Sequence, residues 1–526
     1  MGEKNLNIKS TGIISAAIMC SRLLGLAREV LFNALFGTSS MGIFLIAFRA
    51  PNLLRDLFAE GVLSISFVTV FSKKIEMEGE SSAWLLASKM MTLSAVLMSV
   101  LSVLGIIFSH QLIGMLAPDF SGQDARITIL LTQIMYPFIL LISLAALVMG
   151  MLNSKNIFGV PALASSFFNI GSILGGILFG WLIDPHFGEK GLIGLAIGTV
   201  VGGFLQLSVQ IPSLRRAGFH FKPNFHWNDP GVRQILILTI PGIIAASALQ
   251  MNVLINSSFA SHIGKEAVTW LNSAFRLIQF PIGIFGVAVS TITLPVISRI
   301  ATTKNHAQFG ETLGRAMRFV VFLTMPAVVG FYFFARPVIS LIYEHGKFSA
   351  EDSLQTANAL QFYAMGLIFY SCIKVLSPGF YAINKKWMPM CVSFISILIN
   401  LFLNYFLVFV FRAGHCSLAF SATISSGFNF LTLYFLMNRS YQLQSDLFLS
   451  VLIRCGIASM MIGAVGWTTL FFFNDFIYSD LFLVRAFSLM LVLLLSGVVY
   501  LLACFLLRVE FVESVLKHRS LTVAAL

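Results

Sequence analysis

Charge is scarce in this chain: only 11% of its 526 residues are Asp, Glu, Lys or Arg, against the ~25% of a soluble domain. The remainder is 57% hydrophobic, with 51 Phe and a mean hydropathy of +0.89, which excludes an ordinary soluble fold and marks an integral membrane protein. Acidic residues are the scarcer sign, leaving a net charge of +12. Most of that excess lies in short loops, where membrane orientation accounts for it, so no nucleic-acid partner is expected. Enzymatic signatures are missing as well: there is no Walker A loop, GxSxG elbow, HExxH helix or acidic DxD-like pair in a sizeable outer loop. The chain reads as a non-enzyme with no catalytic residue and no cofactor, and any pumping must draw on an ion gradient, the membrane potential or a substrate gradient. The six cysteines, Cys20, Cys372, Cys391, Cys416, Cys455 and Cys504, form no CxxC pair, and no His cluster has metal spacing. They read as small apolar packing residues, and no metal site is expected. The N-terminal Met-Gly-Glu-Lys-Asn-Leu runs into a long helix without an A-x-A-like cleavage site, so that helix is expected to stay in the mature protein.

Long apolar runs are what the sequence has in abundance. Segments able to cross ~30 Å of hydrocarbon at ~1.5 Å per residue fall at about 11–36, 41–71, 83–109, 125–152, 158–183, 191–213, 234–259, 266–298, 314–336, 353–383, 387–411, 414–438, 446–474 and 480–507. The expected fold is an all-α integral membrane protein with fourteen transmembrane helices. With a cytoplasmic N-terminus, one side collects Lys73, Lys74, Lys155, Arg215, Arg216, Lys222, Arg299, Lys385, Lys386, Arg439 and Arg508 among others. The opposite side collects Lys190, Lys265, Arg336, Lys347 and Arg412, with Arg126 and Arg485 at helix ends. This asymmetry predicts that both termini are cytoplasmic.

The chain also repeats itself. Ser21 and Leu23 recur 226 residues on as Ser247 and Leu249, and Asn156 and Pro161 recur 228 residues on as Asn384 and Pro389. Two six-helix lobes, 1–220 and 221–440, are therefore expected, with 441–526 holding helices 13 and 14 and a cytoplasmic tail. Six is even, so the lobes share one orientation and are related by a pseudo-twofold along the membrane normal, an arrangement typical of transporters. Charge breaks the likeness: Arg22, Arg28, Glu29, Arg49, Arg55, Asp56 and Glu60 crowd the first two helices, while the eighth carries Arg276.

An arginine facing lipid at bilayer depth costs from about 3 to more than 10 kcal/mol, so it normally faces a protein interior or a water-filled cavity. Arg22 and Glu29 project about 20° apart on a helix, and Arg28 about 120° from Arg22, so both arginines can reach a wide cavity. Gly25 between them permits a bend or the close approach of a substrate. The competing reading locks Arg22 or Arg28 internally to Glu29 or Glu60. In the second helix, Pro51 removes a backbone donor and Asn52 can bond to groups freed nearby, and such interruptions commonly border binding sites. Arg55 is read as a second contact for an anion, the alternative being a network with Asp56 and Glu60. Arg276 lies about ten residues, or roughly 15 Å, from its helix end, too far for comfortable snorkelling. Lys374 suits either a cavity or a structural role, and Lys89, near a helix end, is expected to snorkel. Guanidinium groups match diphosphate oxygens bidentately, so the candidate ligand is a phosphorylated or pyrophosphorylated substrate.

At these residues the chain resembles the MurJ/MviN lipid II flippases of the MOP exporter superfamily. The matching signatures are Ser-Arg-Leu-Leu-Gly-Leu-Ala-Arg-Glu (21–29), Pro-Asn-Leu-Leu-Arg-Asp-Leu-Phe-Ala-Glu-Gly (51–61), Arg-Leu-Ile-Gln-Phe-Pro-Ile-Gly (276–283) and Lys-Val-Leu-Ser-Pro-Gly-Phe-Tyr (374–381). Phe348, within Tyr-Glu-His-Gly-Lys-Phe, also matches that family's style. The resemblance implies a flippase that moves undecaprenyl-pyrophosphate-linked disaccharide-pentapeptide, lipid II, to the outer leaflet of a bacterial inner membrane by alternating access. It implies a lipid-tail groove on the last two helices, membrane lipids and cell-wall synthesis machinery as partners, and cavity arginines at Arg22, Arg28, Arg55 and Arg276. The family's acidic partner of the second arginine falls on Glu29 rather than the usual Asp. An aspartate often found at the start of the second helix is replaced by Gly42 or a neighbour, and Phe275 stands where an acid can precede Arg276. Some members bind sodium through aspartates on helices seven and eleven; here those helices offer Asn252, Asn256, Asn400 and Asn404, which favours membrane potential over sodium. The other readings are an exporter of another polyprenyl-linked glycan or of drugs, and a membrane-embedded glycosyltransferase. The cationic interior argues against cationic drugs, and the modest outer loops argue against the transferase.

Overall fold

The computed structural model describes residues 8–59, 62–303, 305–479 and 481–512. In hydrocarbon a helix satisfies its backbone N–H and C=O groups within one segment, and every regular element among the described residues is helical. Among the described residues, twelve helices, from Ala16–Leu57 to Phe482–Leu506, are long and apolar enough to cross a membrane, and Pro230–Ile240 is a shorter apolar segment. The first two expected spans share the continuous run Ala16–Leu57, and the seventh lies on the 34-residue helix Pro230–Ile263.

The chain divides into two compact units, Met1–Thr269 and Trp270–Leu526. The repeat places a boundary near 220, whereas compactness carries the first unit through Pro230–Ile263, because that helix packs on Val62–Glu78, Glu80–Ile107 and Ser109–Leu116. At its start Lys89 Nζ meets Asp229 Oδ2 at 2.7 Å, so Lys89, with a side chain 10% exposed, is an ion-pair partner rather than a snorkelling residue. At its other end Ser261 Oγ donates to the Leu116 carbonyl at 3.1 Å, His262 pairs with Asp119, and Lys265 meets Asp124 at 2.9 Å.

Within the first unit, Gly159–Ile183 and Leu192–Ser208 pack backbone to backbone. A Cβ on Gly194 would sit 2.1 Å from the Gly180 nitrogen, and one on Gly198 2.3 Å from the Gly176 nitrogen. Small residues spaced by four along one helix face permit such an approach in a membrane. Gly42 fits the same logic. A Cβ there would fall 2.0 Å from the Lys265 carbonyl oxygen, so no larger side chain has room at this position.

The core of the second unit gathers Leu313, Met317, Val320, Leu376, Phe380, Phe430 and Leu433. Its last two long helices, Ser445–Phe472 and Phe482–Leu506, pack on His306–Phe333 through Phe322, Cys455, Ala458, Tyr500 and Cys504, with the Tyr500 hydroxyl donating to the Phe322 carbonyl at 2.7 Å. Cys372 is buried like Cys455 and Cys504, Cys416 is half-buried, and Cys20 and Cys391 are exposed. After the helix Phe482–Leu506, Arg318 Nε donates to Glu510 at 3.0 Å and Arg318 Nη1 to Gln444 at 3.2 Å, pinning the segment around Glu510.

The repeat is written in the backbone. The helix Ile8–Leu54 breaks at Gly37 (φ 77°), and its counterpart breaks at Gly264 (φ 158°), 227 residues on. Wide π-turns follow in both units, at Arg55–Ala59 and Ile282–Val287. Asn156 and Asn384 are both left-handed, with φ of 60° and 57°.

Candidate functional site

Two clusters carry the charged residues of the first helices. The first rests on Gly159–Ile183. Asn169 Nδ2 donates to the Ser21 carbonyl at 3.1 Å, and its Nδ2 and Oδ1 lie 3.7 and 3.8 Å from where a Cβ on Gly25 would be. Those are ordinary contacts, and the helix is regular at Gly25 and breaks at Gly37. One turn on, the half-buried Arg28 guanidinium stands over the Phe168 ring, 5.1 Å from its centroid, in a cation–π contact. Glu29 beside it is 7% exposed, and Arg22 is exposed on the same helix.

The second cluster is built by Pro51. Its missing N–H leaves the Ala47 carbonyl, four residues back, without its helical donor, and the Thr132 hydroxyl lies 3.1 Å from it, sharing its one proton with the Thr128 carbonyl at 2.8 Å. The helix then opens into the π-turn Arg55–Ala59, a form frequent at functional sites. There Arg55 donates from Nε and Nη2 to Asp56 Oδ1 at 3.1 and 2.9 Å, while Asp56 Oδ2 accepts from Asn52 Nδ2 at 3.3 Å and from Gln250 Nε2 at 3.1 Å. The Arg55 and Asp56 side chains are 21% and 25% exposed, so the pair is reachable. Of the two Arg55 readings, the contact with Asp56 is thus present in the geometry; Glu60 lies outside the described residues.

Arg276 and Lys374 belong to the second unit. Arg276 is half-buried on Lys265–Pro281, six residues before its π-turn, and Lys374 is exposed on Ala350–Ala382. Phe275 packs tilted against Tyr363 and edge-on against Tyr370, at ring distances of 5.2 and 6.2 Å. The asparagines weighed against sodium ligands bond to neighbours: Asn256 to Asn252 and Asn400 to Ser421, both at 3.3 Å, while Asn404 pairs with Ser421.

Sequence reading left Asn169, Phe168, Thr132 and Gln250 out of the site. Only Thr132 had a local cue, since a proline inside a helix calls for a donor to its freed carbonyl.

The family model for the lipid II flippase MurJ matches residues 32–487. The chain is 34% identical over 423 residues to a protein of Buchnera aphidicola subsp. Acyrthosiphon pisum described as a probable lipid II flippase MurJ, covering 80% of this chain and 81% of that one. It is 32% identical to the lipid II flippase MurJ of Burkholderia cenocepacia, covering 87% and 89%. Among solved structures, the inward closed conformation of the lipid II flippase MurJ superposes with a TM-score of 0.74 at 26% identity, covering 93% of this chain and 98% of that one. An inward-facing MATE-family multidrug transporter of the MOP superfamily shares the fold alone, with a TM-score of 0.68 at 14% identity over 82% of this chain and 98% of that one.

Proposed function

Since the chain belongs to the lipid II flippase MurJ family, we propose that it carries undecaprenyl-pyrophosphate-linked disaccharide-pentapeptide from the cytoplasmic to the outer leaflet of a bacterial inner membrane by alternating access. The family is one of transporters, which removes the glycosyltransferase reading. The observation that carries the substrate assignment is the family match across 32–487. Arg22, Arg28 and Arg55 add a physical reason: cations kept at membrane depth serve an anionic cargo. In this reading their guanidinium groups hold the pyrophosphate, Arg276 joins them on its sequence signature, and Glu29 and Asn52 support them. The polyprenyl chain stays in lipid, both termini face the cytoplasm, and membrane potential rather than sodium drives the cycle.

The test is depletion of the native flippase with rescue by each Arg→Ala variant at matched expression. Loss of rescue is expected for Arg22, Arg28, Arg55 and Arg276, and full rescue by all four overturns the clamp. Arg→Lys variants separate fork geometry from charge, with failure of rescue expected at bidentate positions. A leaflet-accessibility assay of lipid II in proteoliposomes tests transport itself.

A further inference from the structure

Asp56 receives more of the second cluster than any other side chain in it. Both its oxygens are used, Oδ1 by the Nε–Nη2 edge of Arg55 and Oδ2 by Asn52 and Gln250. Adjacent residues on a regular helix do not face one another, yet Arg55 and Asp56 meet at 2.9 Å within the π-turn Arg55–Ala59. The Nε–Nη2 edge is also the fork that fits two phosphoryl oxygens. Asp56 therefore occupies the face of Arg55 that an anionic headgroup would need, and its own charge repels that headgroup. Gln250, its third donor, lies 194 residues away on Pro230–Ile263. One carboxylate thus joins the arginine of the second helix to the seventh.

We propose that Asp56 is a positioning residue for transport. It holds Arg55 in place while the site is empty, yields the guanidinium edge to the diphosphate of an incoming lipid headgroup, and passes that exchange to Pro230–Ile263 through Gln250. The inference rests on the reading of Arg55 as a diphosphate contact.

The experiment uses full-length protein in nanodiscs with lipid II as the probe and inorganic pyrophosphate as competitor, read as binding affinity and as lipid II flipping in liposomes. Asp56→Asn removes the competing charge and keeps the size. It is expected to bind lipid II about fivefold or more tighter while flipping more slowly, a gain that a purely structural carboxylate would not give. The gain should vanish in an Arg55→Ala background, and Asp56→Glu should restore wild-type affinity and flipping. Gln250→Ala should slow flipping with affinity within about twofold of wild type, since it breaks the link and leaves the arginine. If Asp56→Asn does not fold, Asp56→Ser carries the same expectation. Unchanged or weaker binding by the folded Asp56 variant, or a gain that persists without Arg55, overturns the proposal. Wild-type lipid II binding by Arg55→Ala overturns instead the reading of Arg55 beneath it.

Discussion

Lys89 and Asp229 show what one buried cation demands of its surroundings. The Asp229 carboxylate caps Pro230–Ile263 by accepting from the Gly231 N–H at 2.8 Å, and it takes Lys89 at 2.7 Å. Burial alone would raise the Asp229 pKa; the Lys89 hydrogen bond, the Gly231 N–H and the charges of Lys89 and Lys74 outweigh it and hold the carboxyl below its ordinary value. A carboxylate with a lowered folded pKa stabilises the fold above its unfolded value, near pH 4, and loses that contribution as pH falls through the folded value. Asp229→Asn keeps a good cap and removes the charge, so it should cost about 1–2 kcal/mol at pH 7. Thermal unfolding in detergent should show the gap to wild type closing as pH falls below about 4; a gap independent of pH would rule the ion pair out as its source. The same reasoning about isolated charge made Arg22, Arg28 and Arg55 legible in the sequence, because an arginine amid apolar residues stands out whatever surrounds it. Asp56 and Gln250 were not legible as partners, since 194 residues separate them and no local pattern announces a contact.

At the scale of the element, the helices follow from apolar runs, and nearly every expected span has a helical counterpart. The breaks within them were less legible. Gly25 and Gly37 look alike in sequence, yet the helix stays regular at Gly25 and turns left-handed at Gly37 (φ 77°), because the tertiary path decides which glycine is used. Pro51 did predict an interruption, although only the structure shows the Thr132 hydroxyl beside the Ala47 carbonyl. The glycine series Gly194, Gly198 and Gly202 is the clearest element-scale device. A Cβ at Gly198 would lie 2.3 Å from the backbone nitrogen of Gly176, which no side-chain rotation can relieve. Gly198→Ala should therefore lower stability by about 1–3 kcal/mol, measured as a drop in unfolding temperature. Gly114→Ala, where nothing lies within 4 Å of the added Cβ, serves as the neutral or slightly stabilising comparison. Equal behaviour of the two would show that the helices can part at little cost.

On the scale of the whole molecule, two units share a backbone plan while their charges differ. Left-handed Asn156 and Asn384, breaks at Gly37 and Gly264, and π-turns at Arg55–Ala59 and Ile282–Val287 recur in both. The offset near 227 was legible because it survives in asparagine and proline, residues that fix backbone geometry. The extent of the first unit was not, because Pro230–Ile263 belongs to it by packing while the repeat begins a new cycle there. The segment around Glu510 is tied into the second unit by Arg318, whose side chain is 4% exposed and meets Glu510 and Gln444. Glu510→Ala leaves that cation with one partner and should cost about 2–3 kcal/mol. Hydrogen exchange should rise mainly in 445–512, whereas an unchanged exchange pattern would refute the tie. The close backbone contact between Gly159–Ile183 and Leu192–Ser208 has a mechanical consequence. Helices touching at the main chain have no lubricating layer of side chains between them, so they cannot slide without collision. They travel as one stiff plank, and whatever deformation transport asks of the first unit must be absorbed at hinges elsewhere along the chain.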